Sequence, residues 1–290
     1  MSIPCELVVD AMSEVGESAI WDHRRGSLWW VDMFKGQLYE WHPNRGMQLA
    51  AQVDQTLGFV VPTDDGEWIA GIRDGFARID KKGNFNLIAE VQRDQPDFRM
   101  NDGKTDLWGR VWAGTVSDAD PVDGGLYRLE TDGTVTQHRD NLQLPNGIAW
   151  TADGSRMFIT DSNAYSIEVW SMTEEPEPQL DRLTSEFTLT PEQGKPDGIA
   201  VDQEGGLWVA LFGGGAVVRF SPDGDIDRRI DLPVPNVTTL AFGGDDFSDL
   251  YITTARYAMS GAALGAHPRE SGAVFKCDPG VRGFPVALCS

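Results

Sequence analysis

Six segments of this 290-residue chain share one frame. In Asn101-Asp102-Gly103-Lys104-Thr105-Asp106, an oxygen-bearing side chain stands five positions before an aspartate. A glycine-containing turn then leads into the apolar run Val111-Trp112-Ala113-Gly114. The frame recurs at Glu17 (five before Asp22), Asn146 (five before Thr151) and Asp197 (five before Asp202), with weaker copies over residues 57–62 and 238–243. Successive first positions are 40, 44, 45, 51 and 41 residues apart. One four-stranded propeller blade takes roughly 40–50 residues. The repeat therefore predicts an all-β, six-bladed β-propeller around a central channel.

Strand signals follow in each copy. A short aromatic or β-branched run comes second, as in Ser27-Leu28-Trp29-Trp30-Val31-Asp32 and Gly206-Leu207-Trp208-Val209-Ala210. A third run follows most of them, as in Gly125-Leu126-Tyr127-Arg128-Leu129, and turns rich in Gly, Asp and Pro separate the runs. The first strand, residues 6–10, precedes the first copy and is expected to pair into the sixth blade, which hides the sheet edges. Helix signals are confined to residues 260–266, at most a short turn in an insertion of the last blade. Two further insertions stand out, an acidic one over residues 117–123 and a Pro/Glu-rich hairpin over residues 172–179. No linker or composition shift divides the chain, so residues 1–290 read as a single propeller domain.

Composition enters mainly by exclusion. A net charge of −21 argues against a nucleic-acid partner, which needs a basic face. No run of about 18 apolar residues could cross a membrane as a helix, and the N-terminus lacks the basic and apolar regions of a secretory signal. A cytoplasmic protein is expected, as a monomer or homodimer. The 3 cysteines, Cys5, Cys277 and Cys289, fit neither a disulfide framework nor a zinc motif, and read as reduced thiols. The 4 histidines fall in turns or outer strands. A histidine base, a His-rich zinc site and a Ser-His-Asp triad are all disfavoured.

The register also implies a site. Innermost strands of a propeller start at one end of the channel, so equivalent starting residues converge. Glu17, Asn101, Asn146 and Asp197 should ring the axis there, with Leu57 and Thr238 completing the ring. Carboxylate and amide oxygens suit a hard divalent cation. Two carboxylates brought together without one would repel and raise a pKa. Any single Asn-Gly or Asp-Gly pair reads most simply as a turn; four oxygen-bearing residues in one register do not. Asp22, Asp106 and Asp202 repeat too, but at the far end of the strand, where they are expected to hold turns.

These residues resemble the sugar lactonase family that includes gluconolactonase and regucalcin (senescence marker protein 30). The matching runs are Gly16-Glu17-Ser18-Ala19-Ile20-Trp21, Arg99-Met100-Asn101-Asp102-Gly103-Lys104-Thr105-Asp106, Pro145-Asn146-Gly147 and Pro196-Asp197-Gly198-Ile199. Leu207-Trp208-Val209-Ala210 and Tyr251-Ile252-Thr253-Thr254-Ala255-Arg256 extend the match, and the spacing is most similar to bacterial xylonolactonase-like members. The resemblance implies a channel cation (Ca, Zn, Mn, Mg or Fe(II)) held by Glu17, Asn146 and Asp197. It also implies that Arg99 and Asn101 bind substrate oxygens. Two features depart from the family pattern. Its Gly-Glu-Gly-Pro is here Gly16-Glu17-Ser18-Ala19, and the glutamate usual after Gly-Thr is missing, leaving Asp118 or Asp120 to contact the substrate.

The expected reaction is hydrolysis of an aldono-1,4- or 1,5-lactone to its aldonic acid. Asp197 is the candidate base, with a hydroxide supplied by the cation as the alternative nucleophile. Lys104, if it faces the channel, would steady the product carboxylate. Rival readings are a non-catalytic calcium-binding regulatory propeller and a metal-dependent ester or phosphotriester hydrolase.

Overall fold

An identical irregularity marks the inner strand of every blade. In the computed structural model these strands are Gly16–Asp22, Leu57–Pro62, Phe98–Thr105, Pro145–Trp150, Lys195–Val201 and Val237–Gly243. Each pairs with the next strand in register at first. The pairing then shifts by one residue between Glu17 and Ile20, Leu57 and Phe59, Met100 and Gly103, Pro145 and Ile148, Pro196 and Ile199, and Val237 and Leu240. A β-bulge of this kind re-aims side chains and sharpens the twist. Here it falls immediately after the repeated first position.

The structure describes residues 3–119, 123–173, 179–267 and 269–290. Among the described residues twenty-four strands form six four-stranded antiparallel sheets, five of them running outward from the channel in chain order. The sixth differs as expected: the N-terminal strand Cys5–Val9 pairs with Val274–Cys277 and supplies that blade's outer strand. The expected helical turn is a short helix, Gly261–Ala266, inserted before that strand. All three cysteines are free thiols.

Apolar cores lie between blades rather than inside them. Trp21, Leu28 and Trp30 of the first blade pack with Tyr251 and Val274 of the sixth, sealing the ring. Ala149 and Phe158 pack similarly against Val209 and Val218 on the next blade. The second strands are accordingly buried on both faces, whereas outer strands such as Leu180–Thr188 are mostly exposed. Two-faced burial explains why the second strands read as continuous apolar runs rather than alternating ones.

At the far end of the inner strands the repeated aspartates hold turns. Asp202 accepts hydrogen bonds from the main-chain N–H groups of Glu204 (2.9 Å) and Gly206 (2.8 Å), from Trp208 Nε1 (2.8 Å) and from Arg219 Nε (2.6 Å). Asp106 does the same for Trp108, Arg110 and Trp112. Burial acts to raise the pKa of Asp202, but the Arg219, Trp208 and Gly206 bonds outweigh it and leave it lowered. This lattice fixes blade geometry away from the site, and so leaves the strand starts free for chemistry.

Candidate active site

Asn146-Gly147 and Asp197-Gly198 are not turns. Both pairs sit inside inner strands, at the bulge. Their glycines meet a steric demand: a Cβ on Gly147 would lie 2.5 Å from the Asp197 carbonyl oxygen, and one on Gly198 would lie 2.3 Å from Thr239 Oγ1. Neighbouring inner strands approach too closely for a side chain, and that closeness draws the preceding Asn and Asp into one small space.

Four of the six register positions converge as expected. Glu17, Asn101, Asn146 and Asp197 are all buried. The other two do not complete the ring. Leu57 packs into the core between the first two blades, and Thr238 gives its hydroxyl to the Gly16 carbonyl, tying the last blade to the first.

Asn101 Nδ2 donates to Asn146 Oδ1 (2.9 Å) and to the Pro145 carbonyl (2.9 Å). Asn146 Nδ2 donates to Ser162 Oγ at 3.0 Å, and that hydroxyl donates to the Pro196 carbonyl at 2.5 Å. Asn146 Oδ1 keeps one lone pair free. Asp197 Oδ1 is buried and has no hydrogen-bond partner among the described residues. Leaving a buried carboxylate oxygen unpaired is costly, so this atom marks a place where something else binds.

Electrostatics agree. Burial raises the Glu17 pKa well above the carboxylate range, with the charges of Asp197 and then Asp102 adding to it. Burial and then Asp102 raise Asp197 in the same direction. Among the described residues no three His, Cys, Asp or Glu side chains form a ready-made cage. The donor set is two carboxylates and one amide oxygen. Such a set fits a hard cation that keeps water in its remaining positions.

Arg99 lies at the channel mouth, beside the strand starts. Its Nη1 donates to Asn101 Oδ1 at 2.6 Å, and its guanidinium lies 5.8 Å from the centre of the Phe34 ring, which packs edge-on to Tyr257. Arg99 Nε has no partner among the described residues. Burial lowers the Arg99 pKa, against the opposing charges of Asp118, Glu17 and Tyr257. Asp118 is exposed, and its charge is felt by Arg99. Asp120 lies outside the described residues. Lys104 is not at the mouth: three residues beyond Asn101, or roughly 10 Å along the strand, it donates to the Ile199 carbonyl at 3.0 Å.

Four residues escape a register argument. Asp102 lies within the bulge; its charge helps to raise the pKa values of Glu17 and Asp197, and Lys104 acts on it in turn. Its signal was the residue directly after Asn101. Ser162 orients Asn146 from the turn that follows the second strand of its blade, and Phe34 with Tyr257 lines the mouth; nothing in their local sequence announces either role. His138, by contrast, stacks on Trp112 in an outer strand, its pKa lowered to about 4 by burial, Arg128 and Arg110. Histidine plays no part in the site.

A six-bladed propeller with two buried acids and an oriented amide at one end of its channel defines a class. Residues 15–256 match the family described as the SMP-30/gluconolactonase/LRE-like region, and the chain belongs to that family. Regucalcin of Danio rerio is 36% identical over 98% of this chain and 97% of its own length. The 6-deoxy-6-sulfogluconolactonase of Pseudomonas putida is 33% identical over 98% of this chain and 97% of its own. Among solved structures, the calcium-binding protein regucalcin from Agrobacterium tumefaciens superposes with a TM-score of 0.90 at 25% identity, covering 100% of this chain and 98% of that one.

Proposed function

We propose that this protein hydrolyses a sugar lactone, an aldono-1,4- or 1,5-lactone, to the aldonic acid, using one divalent cation held by Glu17, Asn146 and Asp197. The observation that carries the reading is the unpartnered Asp197 Oδ1, buried between Asn146 and a second raised-pKa acid. The names of the Pseudomonas putida relative and of the family support the lactone class. When bound, such a cation polarises the lactone carbonyl and stabilises charge developing on its oxygen.

The chain's own residues supply the rest. Arg99 presents N–H groups at the mouth and orients the sugar hydroxyls, Asn101 offers them its Oδ1, which already accepts from Arg99, and Asp118 is the further acid assigned to substrate contact, with Asp120 assigned the same role from the sequence alone. Asp197, ionised in the loaded site, takes a proton on its carboxylate from water as the water oxygen bonds to the carbonyl carbon. The ring C–O bond then breaks, and the proton passes to the departing ring oxygen, which becomes a hydroxyl. The new carboxylic acid ionises and releases one proton per turnover. Phe34 and Tyr257 lie beside Arg99 at the mouth, where the sugar would meet them.

A pH-indicator assay over a panel of pentonic and hexonic lactones, on chelated protein with single cations restored, tests this. Acid release above the spontaneous rate with one cation supports it. Tight calcium binding without acid release from any lactone favours a calcium-binding protein instead, and release from simple esters or phosphotriesters alone favours the third reading.

A further inference from the structure

The channel has a second chamber. At the end opposite the site, the late residues of the inner strands enclose a cavity of about 340 Å³. Pockets that hold small ligands begin at roughly 300 Å³. Trp21, Trp150, Val201 and Phe242 contribute apolar wall, and the C-terminal segment 284–287 lies across the opening.

That segment is a strap fixed at both ends. On one side the Arg282 carbonyl accepts from Gln203 N–H (2.8 Å) and Gly283 N–H donates to Phe247 (3.0 Å). On the other, Cys289 N–H donates to Pro62 (2.9 Å) and its carbonyl accepts from Asp64 N–H (3.1 Å). Between these anchors Phe284 is 40% exposed, and residues 284–287 form no main-chain hydrogen bond among the described residues.

One charge meets this apolar space. Lys104 is the sole ionisable residue lining the cavity among the described residues. Its ammonium has three donors, one used on the Ile199 carbonyl; it makes no salt bridge with a described carboxylate, although the Asp102 charge favours its protonated form against burial. Two further polar atoms belong to lining residues and lack partners among the described residues: Thr105 Oγ1 and Trp150 Nε1, on side chains that are 3% and 8% exposed. Apolar walls alone would enclose an empty cavity that stays dry. Unspent donors in such walls call for an acceptor with an apolar body.

We propose that this chamber is a second ligand site, separate from the site at the mouth, for a small apolar carboxylate. Its carboxylate meets the Lys104 ammonium and its hydrocarbon part fills the end of the channel beneath the strap. Exchange requires residues 284–287 to lift between their anchors, freeing Val286 from the apolar core of the first two blades. The inference does not depend on the reaction proposed above, since it uses none of those residues.

Calorimetry of the full-length, calcium-loaded protein with 4-phenylbutyrate tests it, alongside the neutral amide of the same acid. One equivalent should bind, unaffected by saturating aldonate. The amide should bind at least about 10-fold more weakly, the scale of one lost charge-assisted contact. Lys104→Met should weaken 4-phenylbutyrate similarly. Ala241→Trp, which fills the cavity, should abolish binding while circular dichroism stays native. Competition by aldonate, equal binding of acid and amide, full binding in Ala241→Trp, or no binding at millimolar concentration would each overturn the proposal. Should either variant unfold, the acid–amide comparison on the unaltered protein still decides.

Discussion

Asn101 donates its side-chain N–H to Asn146 Oδ1 at 2.9 Å, joining the third blade to the fourth at the mouth of the channel. The bond fixes which Asn146 atom faces the axis, and Ser162 confirms the choice by accepting the opposite end of the amide at 3.0 Å. Outer-shell partners of this kind typically carry 10–100-fold of a metal site's affinity. Ser162→Ala should therefore lower cation affinity by about 10-fold while the propeller melts within a few degrees of the parent. Calorimetric titration with calcium and manganese checks it.

The pH dependence of the chelated protein follows from Glu17 and Asp197. Both have pKa values raised by burial and neighbouring acids, so the folded state holds protons that the unfolded chain gives up. The stability linked to those protons is complete below the usual carboxylate pKa and is lost as pH rises through the raised values. Melting temperature should fall with rising pH from about 4.5 upward in chelator, and adding a divalent cation should flatten the slope. A chelated protein with no slope across that window would mean that the two acids are not held as described.

Gly147 separates Asn146 from the next inner strand, and a Cβ there would sit 2.5 Å from the Asp197 carbonyl. Overpacking of this sort costs about 1–3 kcal/mol. Gly147→Ala should lower unfolding free energy by that amount and weaken cation binding as well, because the strand must move outward. Denaturant melts together with a calcium titration separate the two effects.

Asp202 anchors the far end of its blade through Arg219, whose side chain is 4% exposed. Removing one partner of a buried pair costs about 3 kcal/mol, and Asp202→Ala should lose that much in denaturant unfolding. Once loaded with cation, the folded fraction should keep its lactone turnover, since the change lies at the opposite end of the strands.

Much of this architecture was legible because the repeat is carried by residues that cannot be exchanged cheaply. Asp22, Asp106 and Asp202 mark strand ends, and the Trp-containing runs mark the strands buried on both faces. Glu17, Asn146 and Asp197 stood out for the same reason, as oxygen-bearing side chains at positions that converge. Leu57 and Thr238 share that register but turn into an interblade core and toward Gly16, because register fixes where a backbone starts and not where each side chain packs. Asp102 was hidden in the same way. The bulge places it on the channel, and a bulge is set by strand pairing rather than by the residues on either side. Ser162, Phe34 and Tyr257 reach the site only through tertiary folding. The glycines were legible as positions but not as reasons, since a turn and a close backbone approach call for the same residue.

On the proposed function, one cation at Glu17, Asn146 and Asp197 switches on lactone hydrolysis. The direct measurement titrates chelated protein with a single divalent cation and follows bound metal and acid release from a lactone together. Turnover should rise in proportion to occupancy, level off at one cation per chain, and vanish with undiminished folding in Asp197→Ala. Full turnover in the chelated protein, or a saturated site with no hydrolysis of any lactone, would contradict the account.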